Sequence, residues 1–151
     1  MTTPQFQNAW YNFSVSISNS LANLWNRITI LFQNATQVVV KAVEQNIIKA
    51  QIIIRQKRNV DYYWIASSVT FRRKNVSIKT YFPCMPIPKL AAAAYVRTYG
   101  DVFASSQSSA RRLAIIAGNS YTPVGPERHG NLGYFWHYHP YKRKGGHIFF
   151  M

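Results

Sequence analysis

Residues 61–82 read DYYWIASSVTFRRKNVSIKTYF, and they mark the change from a helical to a strand pattern. Val76 and Ile78 alternate with polar neighbours, which is the period of two typical of a strand with one buried face. The polar residues RRKN at 72–75 separate this run from the apolar run before it. We therefore predict a β-hairpin that turns at residues 72–75.

The chain before this hairpin carries the pattern of a long amphipathic helix. Apolar residues recur at spacings of three or four from residue 6 to residue 42, which places them on one helical stripe. Ser and Asn at residues 16–23 weaken the helix propensity, so a break into two helices there is the alternative. We predict an N-terminal helical segment over residues 1–58 and a separate α+β domain over residues 59–151.

The apolar stripe of this segment needs a surface to cover it. Packing on the C-terminal half or self-association as a helical bundle would serve, and docking on a delivery apparatus through residues 5–58 is a further possibility. Membrane binding is less favoured, because the stripe lacks flanking Lys and Arg.

The chain after the hairpin alternates between helix and strand patterns. Pro88 can open a helix that ends at Gly100, and a serine N-cap with Gly118 brackets a second helix. We expect an extended connector at residues 83–88, a short strand after Gly100, a loop at residues 119–133, and final strands at 133–140 and 146–150. The predicted domain is a ββαβαββ α+β core with an antiparallel sheet.

The charge of the chain is strongly unbalanced, with 18 basic and 4 acidic residues and a formal net charge of +14. Residues 55–151 hold 15 of the basic and three of the acidic side chains. Such an excess indicates a polyanionic partner: a nucleic acid, an anionic membrane surface or an acidic protein. An aromatic content of 15% excludes a disordered basic tail, and so few carboxylates disfavour two-metal and paired-carboxylate hydrolases.

The remaining composition limits the compartment and the redox chemistry. Cys84 is the only cysteine, so an internal disulfide is excluded. We expect no membrane span, because no stretch approaches the roughly 18 apolar residues that a spanning helix requires. The first residues lack the pattern of a cleaved signal peptide, so we expect a cytoplasmic protein or one exported by another route.

All four histidines fall within the last 23 residues of the chain. On a strand, His137 and His139 share one face because they lie two residues apart. A hairpin with residues 140–146 in its loop would pair His139 with His147 and His137 with Phe149. We therefore predict that His137, His139 and His147 lie together on one face.

Three adjacent imidazoles in a cationic setting favour acid–base chemistry on RNA. Imidazole both accepts and donates protons near neutral pH, and RNA cleavage needs a base for the 2′-hydroxyl and an acid for the leaving 5′ oxygen. We predict His137, His139 and His147 as catalytic residues that need no carboxylate, metal or cofactor. The candidate substrate-binding residues are Arg111, Arg128, His129, Tyr141, Lys142, Arg143 and Lys144.

The same residues permit other interpretations. Three histidines can ligate zinc in a metal-dependent nuclease, or serve as partly buried hydrogen-bonding residues. Arg111 can belong to a solvated helix face, and Glu127 and Arg128 can hold the neighbouring loop through local hydrogen bonds. A non-catalytic basic module that binds nucleic acid, or a structural component, is the alternative from a different class.

Two segments carry a resemblance to a known family. DVFASSQSSARRLAIIAG at residues 101–118, and PVGPERHGNLGYFWHYHPYKRKGGHIFF at 123–150, resemble the C-terminal toxin domains of bacterial polymorphic toxin systems. The resemblance implies a fold similar to barnase and the colicin ribonucleases, with the family's histidines at His137, His139 and His147. It also implies an effector that attacks RNA, with tRNA as one candidate, in the cytoplasm of competing cells. A cognate immunity protein, acidic by charge complementarity, is the implied partner.

Overall fold

The computed structural model describes residues 3–56, 61–130 and 132–151. The chain divides into two compact units, Met1–Val38 and Val39–Met151. The predicted domain boundary between residues 58 and 59 lies outside the described residues. The elements are α1 (Thr3–Arg55), β1 (Tyr63–Arg73), β2 (Val76–Ile87), α2 (Lys89–Arg97), β3 (Val102–Ala104), α3 (Gln107–Ala117), β4 (Val124–Glu127), β5 (Trp136–His139), a 3₁₀ turn (Tyr141–Arg143) and β6 (Ile148–Phe150).

The first unit contains the N-terminal part of α1. The helix runs without interruption through residues 16–23, so the two-helix alternative is not what the structure shows. Large apolar side chains are exposed along this part, among them Trp10, Phe13, Leu21, Leu24 and Trp25. Within the described residues, no helix combines the length and the apolar character that crossing a membrane requires, as predicted.

The second unit is built on a six-stranded sheet of order β2-β1-β3-β6-β5-β4. Strands β1 and β2 form the predicted antiparallel hairpin, in which Arg73 pairs with Val76 and Lys74 takes a left-handed turn conformation. Strand β2 continues to Ile87, so most of the expected connector is strand, and a register shift at Trp64 to Ala66 lies opposite it. The predicted α+β class is confirmed.

The sheet differs from the prediction in two respects. It has a sixth strand, β4, inside the segment expected to be a loop, and it pairs β3 with β6 in parallel rather than antiparallel. Strand β4 reads VGPE and lies at the edge of the sheet, where a proline that cannot donate a hydrogen bond is tolerated. The expected pairing of His137 with Phe149 between β5 and β6 is confirmed.

The two faces of the sheet have different coverings. On one face, Val96 of α2 and Leu113 of α3 pack against the strand residues Val102, Tyr138 and Ile148 and form a buried core. On the other, Ile54 at the C-terminal end of α1 packs with Trp64, Ala66, Phe103, Phe135 and Phe149. Because side chains alternate along a strand, His137 and His139 share this second face with Phe135.

Candidate active site

The structure brings three imidazole rings together at the ends of β5 and β6. The ring centroids of His137 and His139 are 5.0 Å apart, those of His137 and His147 are 5.0 Å apart, and those of His139 and His147 are 4.6 Å apart. We call His137, His139 and His147 the histidine cluster. The pairing of β5 with β6 produces it, because His147 immediately precedes β6.

The members of the histidine cluster differ in their exposure to solvent. His137 retains only 1% of its accessible surface and His139 7%, whereas the side chain of His147 retains 35%. The side chain of His147 is therefore reached by solvent, whereas the rings of His137 and His139 lie beneath the surface.

His147 is held by Asp101, which directly precedes β3. Parallel pairing places Val102 opposite Ile148, so the residues before them are neighbours. One carboxylate oxygen of Asp101 lies 2.8 Å from the backbone nitrogen of His147 and 2.8 Å from its ring Nδ1. Burial acts to raise the pKa of Asp101, but these hydrogen bonds hold it below the usual value. An ionised carboxylate accepts from Nδ1–H, which leaves Nε2 of His147 as the proton acceptor.

A second carboxylate, Glu127 on β4, lies against the other two rings. Its Oε1 is 3.1 Å from Nε2 of His139 and 3.4 Å from Nε2 of His137. Arg143 binds both oxygens of Glu127, with one contact of 2.7 Å to Oε2 and a shorter one to Oε1. The hydrogen bonds from Arg143 lower the pKa of Glu127 to about 2, against the opposing effect of burial. Glu127 is therefore ionised near neutral pH.

The two buried rings are neutral near pH 7. Burial lowers the pKa of His137, and burial together with the neighbouring rings of His147 and His137 lowers the pKa of His139 to about 4. Nδ1 of His137 lies 3.0 Å from the carbonyl oxygen of Phe135. Within the described part of the chain, Nε2 of His137 and Nδ1 of His139 are buried and have no hydrogen-bond partner.

Two of the predicted substrate-binding residues, Arg143 and His129, lie close to the histidine cluster, and a third, Arg128, lines a neighbouring cavity with Tyr134 and Trp136. Arg143 binds Glu127, which contacts the histidine cluster, and about half of the Arg143 side chain is exposed. His129 is exposed, and its ring centroid is 5.4 Å from that of His137. Arg128, the neighbour of His129, donates from Nε to the carbonyl oxygen of Tyr134 over 3.2 Å.

The structure does not bring the other four to the histidine cluster. Tyr141 and Lys144 line a separate cavity of about 630 Å³ with Arg97 and Tyr121. In it Tyr141 stacks on Tyr121 at 4.8 Å, and Lys142 lies 5.3 Å from the centre of the Tyr141 ring. Arg111 is exposed on α3, which packs against the opposite face of the sheet.

Both carboxylates of the site were missed as functional residues. We expected a site without carboxylates, whereas Asp101 contacts His147, and Glu127 lies beside His137 and His139. Glu127 was expected only to hold its loop. Its position follows from the pairing of β4 with β5, which sets Glu127 opposite His137.

Comparison with protein-family models, with curated proteins and with solved structures gives no match to this chain. The resemblance to polymorphic toxin domains therefore stays a prediction.

Proposed function

We propose that this protein is an endoribonuclease that cleaves cellular RNA by imidazole acid–base catalysis without a metal ion. One observation carries the proposal: a partly exposed histidine, His147, is oriented by a partly buried carboxylate within a strongly cationic domain. Arg143 binds Glu127 beside the buried rings, and a second exposed imidazole, His129, has its ring centroid 5.4 Å from that of His137.

In this proposal His147 carries out the first proton transfer. Its Nδ1–H points to Asp101, so Nε2 takes the proton of the 2′-hydroxyl. The 2′ oxygen then forms a bond to phosphorus and the bond from phosphorus to the 5′ oxygen breaks. His129 acts as the acid and gives a proton to that oxygen. The products are a 2′,3′-cyclic phosphate and a 5′-hydroxyl, and DNA is resistant because it lacks the 2′-hydroxyl.

The other polar groups support this step without exchanging protons with the substrate. His137 and His139 are too deeply buried to reach a ribose. Their proposed role is to position the neighbouring His147 and Glu127. Glu127 fixes the guanidinium of Arg143, whose remaining N–H donors can bind a phosphate oxygen. We assign Arg128, whose Nε donates to the carbonyl oxygen of Tyr134, to binding of an adjacent phosphate.

The charge distribution supports RNA as the substrate. Among the described residues, three ion pairs with carboxylates engage Lys89, Arg112 and Arg143, whereas residues 55–151 of the sequence hold 15 basic side chains. The excess can neutralise several phosphates and makes binding salt-dependent. We extend the proposal to an antibacterial effector with a barnase-like topology, which is delivered into competing cells and inactivated by an acidic immunity protein.

A non-catalytic RNA-binding module is the second candidate, and the burial of His137 and His139 favours it. An experiment that distinguishes the ribonuclease from the RNA-binding module incubates total RNA and purified tRNA with the native protein and with His147→Ala, both in EDTA. We expect cleavage by the native protein and a loss of about 100-fold or more in the variant. Intact RNA with the native protein overturns the ribonuclease proposal, and equal cleavage by the variant overturns the role of His147.

A further inference from the structure

The histidine cluster contains two buried ring nitrogens that make no hydrogen bond. Nε2 of His137 and Nδ1 of His139 each have less than 1 Å² of accessible surface and no hydrogen-bond partner within the described residues. Oε1 of Glu127 lies 3.4 Å from Nε2 of His137, without the geometry of a hydrogen bond. Leaving a buried polar atom without a partner costs on the order of 1–3 kcal/mol. Two such atoms in rings whose centroids are 5.0 Å apart are unusual, and they suggest a ligand that accepts nitrogen lone pairs.

We infer that His137, His139 and His147 form a binding site for a zinc ion, with Nε2 of His137, Nδ1 of His139 and Nε2 of His147 as its ligands. One ligand nitrogen from each of the three residues lies within 4.8 Å of the others. The zinc site goes beyond the proposed ribonuclease function and does not depend on it.

The opposite nitrogen of each ring faces an oxygen atom that fixes the required tautomer. Nδ1 of His137 donates to the carbonyl oxygen of Phe135, and Nδ1 of His147 donates to Asp101. Nε2 of His139 lies 3.1 Å from Oε1 of Glu127, and this carboxylate favours a proton on that nitrogen. Oxygen acceptors behind metal-binding imidazoles are the usual outer support of such sites.

The ligand set selects zinc or a similar borderline ion. Imidazole nitrogens suit zinc, whereas magnesium and calcium prefer oxygen ligands. Three histidines leave a fourth tetrahedral position for water. A zinc ion with bonds of about 2.0–2.1 Å holds its nitrogens roughly 3.3–3.4 Å apart, so the rings must turn inward slightly.

A second group, Glu127 with His129 and His137, also has ligand atoms within 4.8 Å of one another. The cluster of three histidines is the better site, because both unpartnered nitrogens belong to it. Glu127 is in addition already bound at both oxygens by Arg143. His129 belongs only to the second group, so it distinguishes the two.

Zinc at this site would occupy Nε2 of His147, which is the proposed base. Zinc should therefore inhibit RNA cleavage and EDTA should restore it. This regulatory effect, unlike the site itself, rests on the proposed function.

The test is a titration of the metal-free full-length protein with Zn²⁺ alone, followed by calorimetry and by competition with a chromophoric chelator. We expect one zinc ion per chain and a loss of affinity of about 100-fold or more in His147→Ala. Asp101→Asn should weaken zinc binding by about 10- to 100-fold, because Asp101 supports the ring of His147 from the side opposite to the metal. His129→Ala is the matched control and should retain the native affinity.

Absence of binding, or native affinity in His147→Ala, overturns the site, and so does loss of binding in His129→Ala. His139→Gln is a further ligand variant, and circular dichroism checks that it folds. If it does not fold, the test depends on His147→Ala, because His147 is more exposed and its replacement disturbs the core less. X-ray absorption should show three nitrogen neighbours at about 2.0–2.1 Å from zinc. Zinc binding by a protein that leaves RNA intact would refute the ribonuclease function alone, and cleavage without zinc binding would refute the site alone.

Discussion

One carboxylate oxygen of Asp101 holds His147 at two points, the backbone N–H and ring Nδ1, each at 2.8 Å. The parallel pairing of β3 with β6 creates this contact, since it aligns the residues that precede the two strands. The ring of His147 is thereby fixed in orientation and tautomer while its side chain keeps 35% of its surface exposed. A rigid, reachable proton acceptor is the feature on which the proposed chemistry depends.

Replacing Asp101 by asparagine should reduce catalysis while leaving RNA binding nearly intact. The amide oxygen is uncharged and is a weaker acceptor than the carboxylate oxygen, so the tautomer with Nε2 as acceptor, and the imidazolium formed after proton transfer, lose support. We expect kcat to fall on the order of 100-fold. Steady-state cleavage of a fluorogenic RNA measures it. Asp61→Asn is the control, because it makes the same chemical change at a carboxylate that contacts Lys89, Ser109 and Arg112 instead of His147. Equal losses in both variants would contradict the role of Asp101.

Replacing Arg143 by alanine should weaken cleavage through loss of the phosphate-binding guanidinium. It should also let the pKa of Glu127 rise from about 2 toward its ordinary value, because hydrogen bonds from Arg143 are the main cause of the lowered pKa. We expect kcat/KM to fall by about 100-fold. Lys142→Ala removes a neighbouring cation that lies over the Tyr141 ring, and it should cost several times less. Matching losses would show that Arg143 contributes only net charge.

Asp61 should make the stability of the fold depend on pH in the acid range. Burial would raise its pKa, but hydrogen bonds from Ser109, Arg112 and Lys89 outweigh it and lower the pKa below 3.8. The contribution of a carboxyl with a lowered folded-state pKa is complete above its unfolded value and is lost as the pH falls. We expect Asp61→Asn to destabilise the protein by roughly 1 kcal/mol at pH 7 and by less near pH 3. Urea unfolding at both pH values measures the difference, and a constant difference would contradict this ionic role.

Local pattern predicted most of the elements. The alternation in β2, the polar turn at residues 72–75 and the glycines that end the helices are signals carried within a few residues of each element. The register of β5 with β6 followed from the length of their loop, and it predicted which histidines lie together.

The features that the sequence did not predict depend on contacts between segments far apart in the chain. Strand β4 has only four residues, including Gly125 and Pro126, and no alternation that would reveal it. The contacts of Asp101 with His147 and of Glu127 with His139 join residues brought together by strand order. The burial of His137 and His139 also arises from tertiary packing, which periodicity along one strand does not report.

The most direct test uses a short RNA oligonucleotide and its analogue with a single 2′-deoxyribose at the cleaved position, both incubated with the native protein in EDTA. We predict cleavage of the RNA to a 2′,3′-cyclic phosphate and a 5′-hydroxyl, with the deoxy analogue intact and His147→Ala inactive. Intact RNA, or products that carry a 5′-phosphate, would contradict cleavage by imidazole acid–base catalysis.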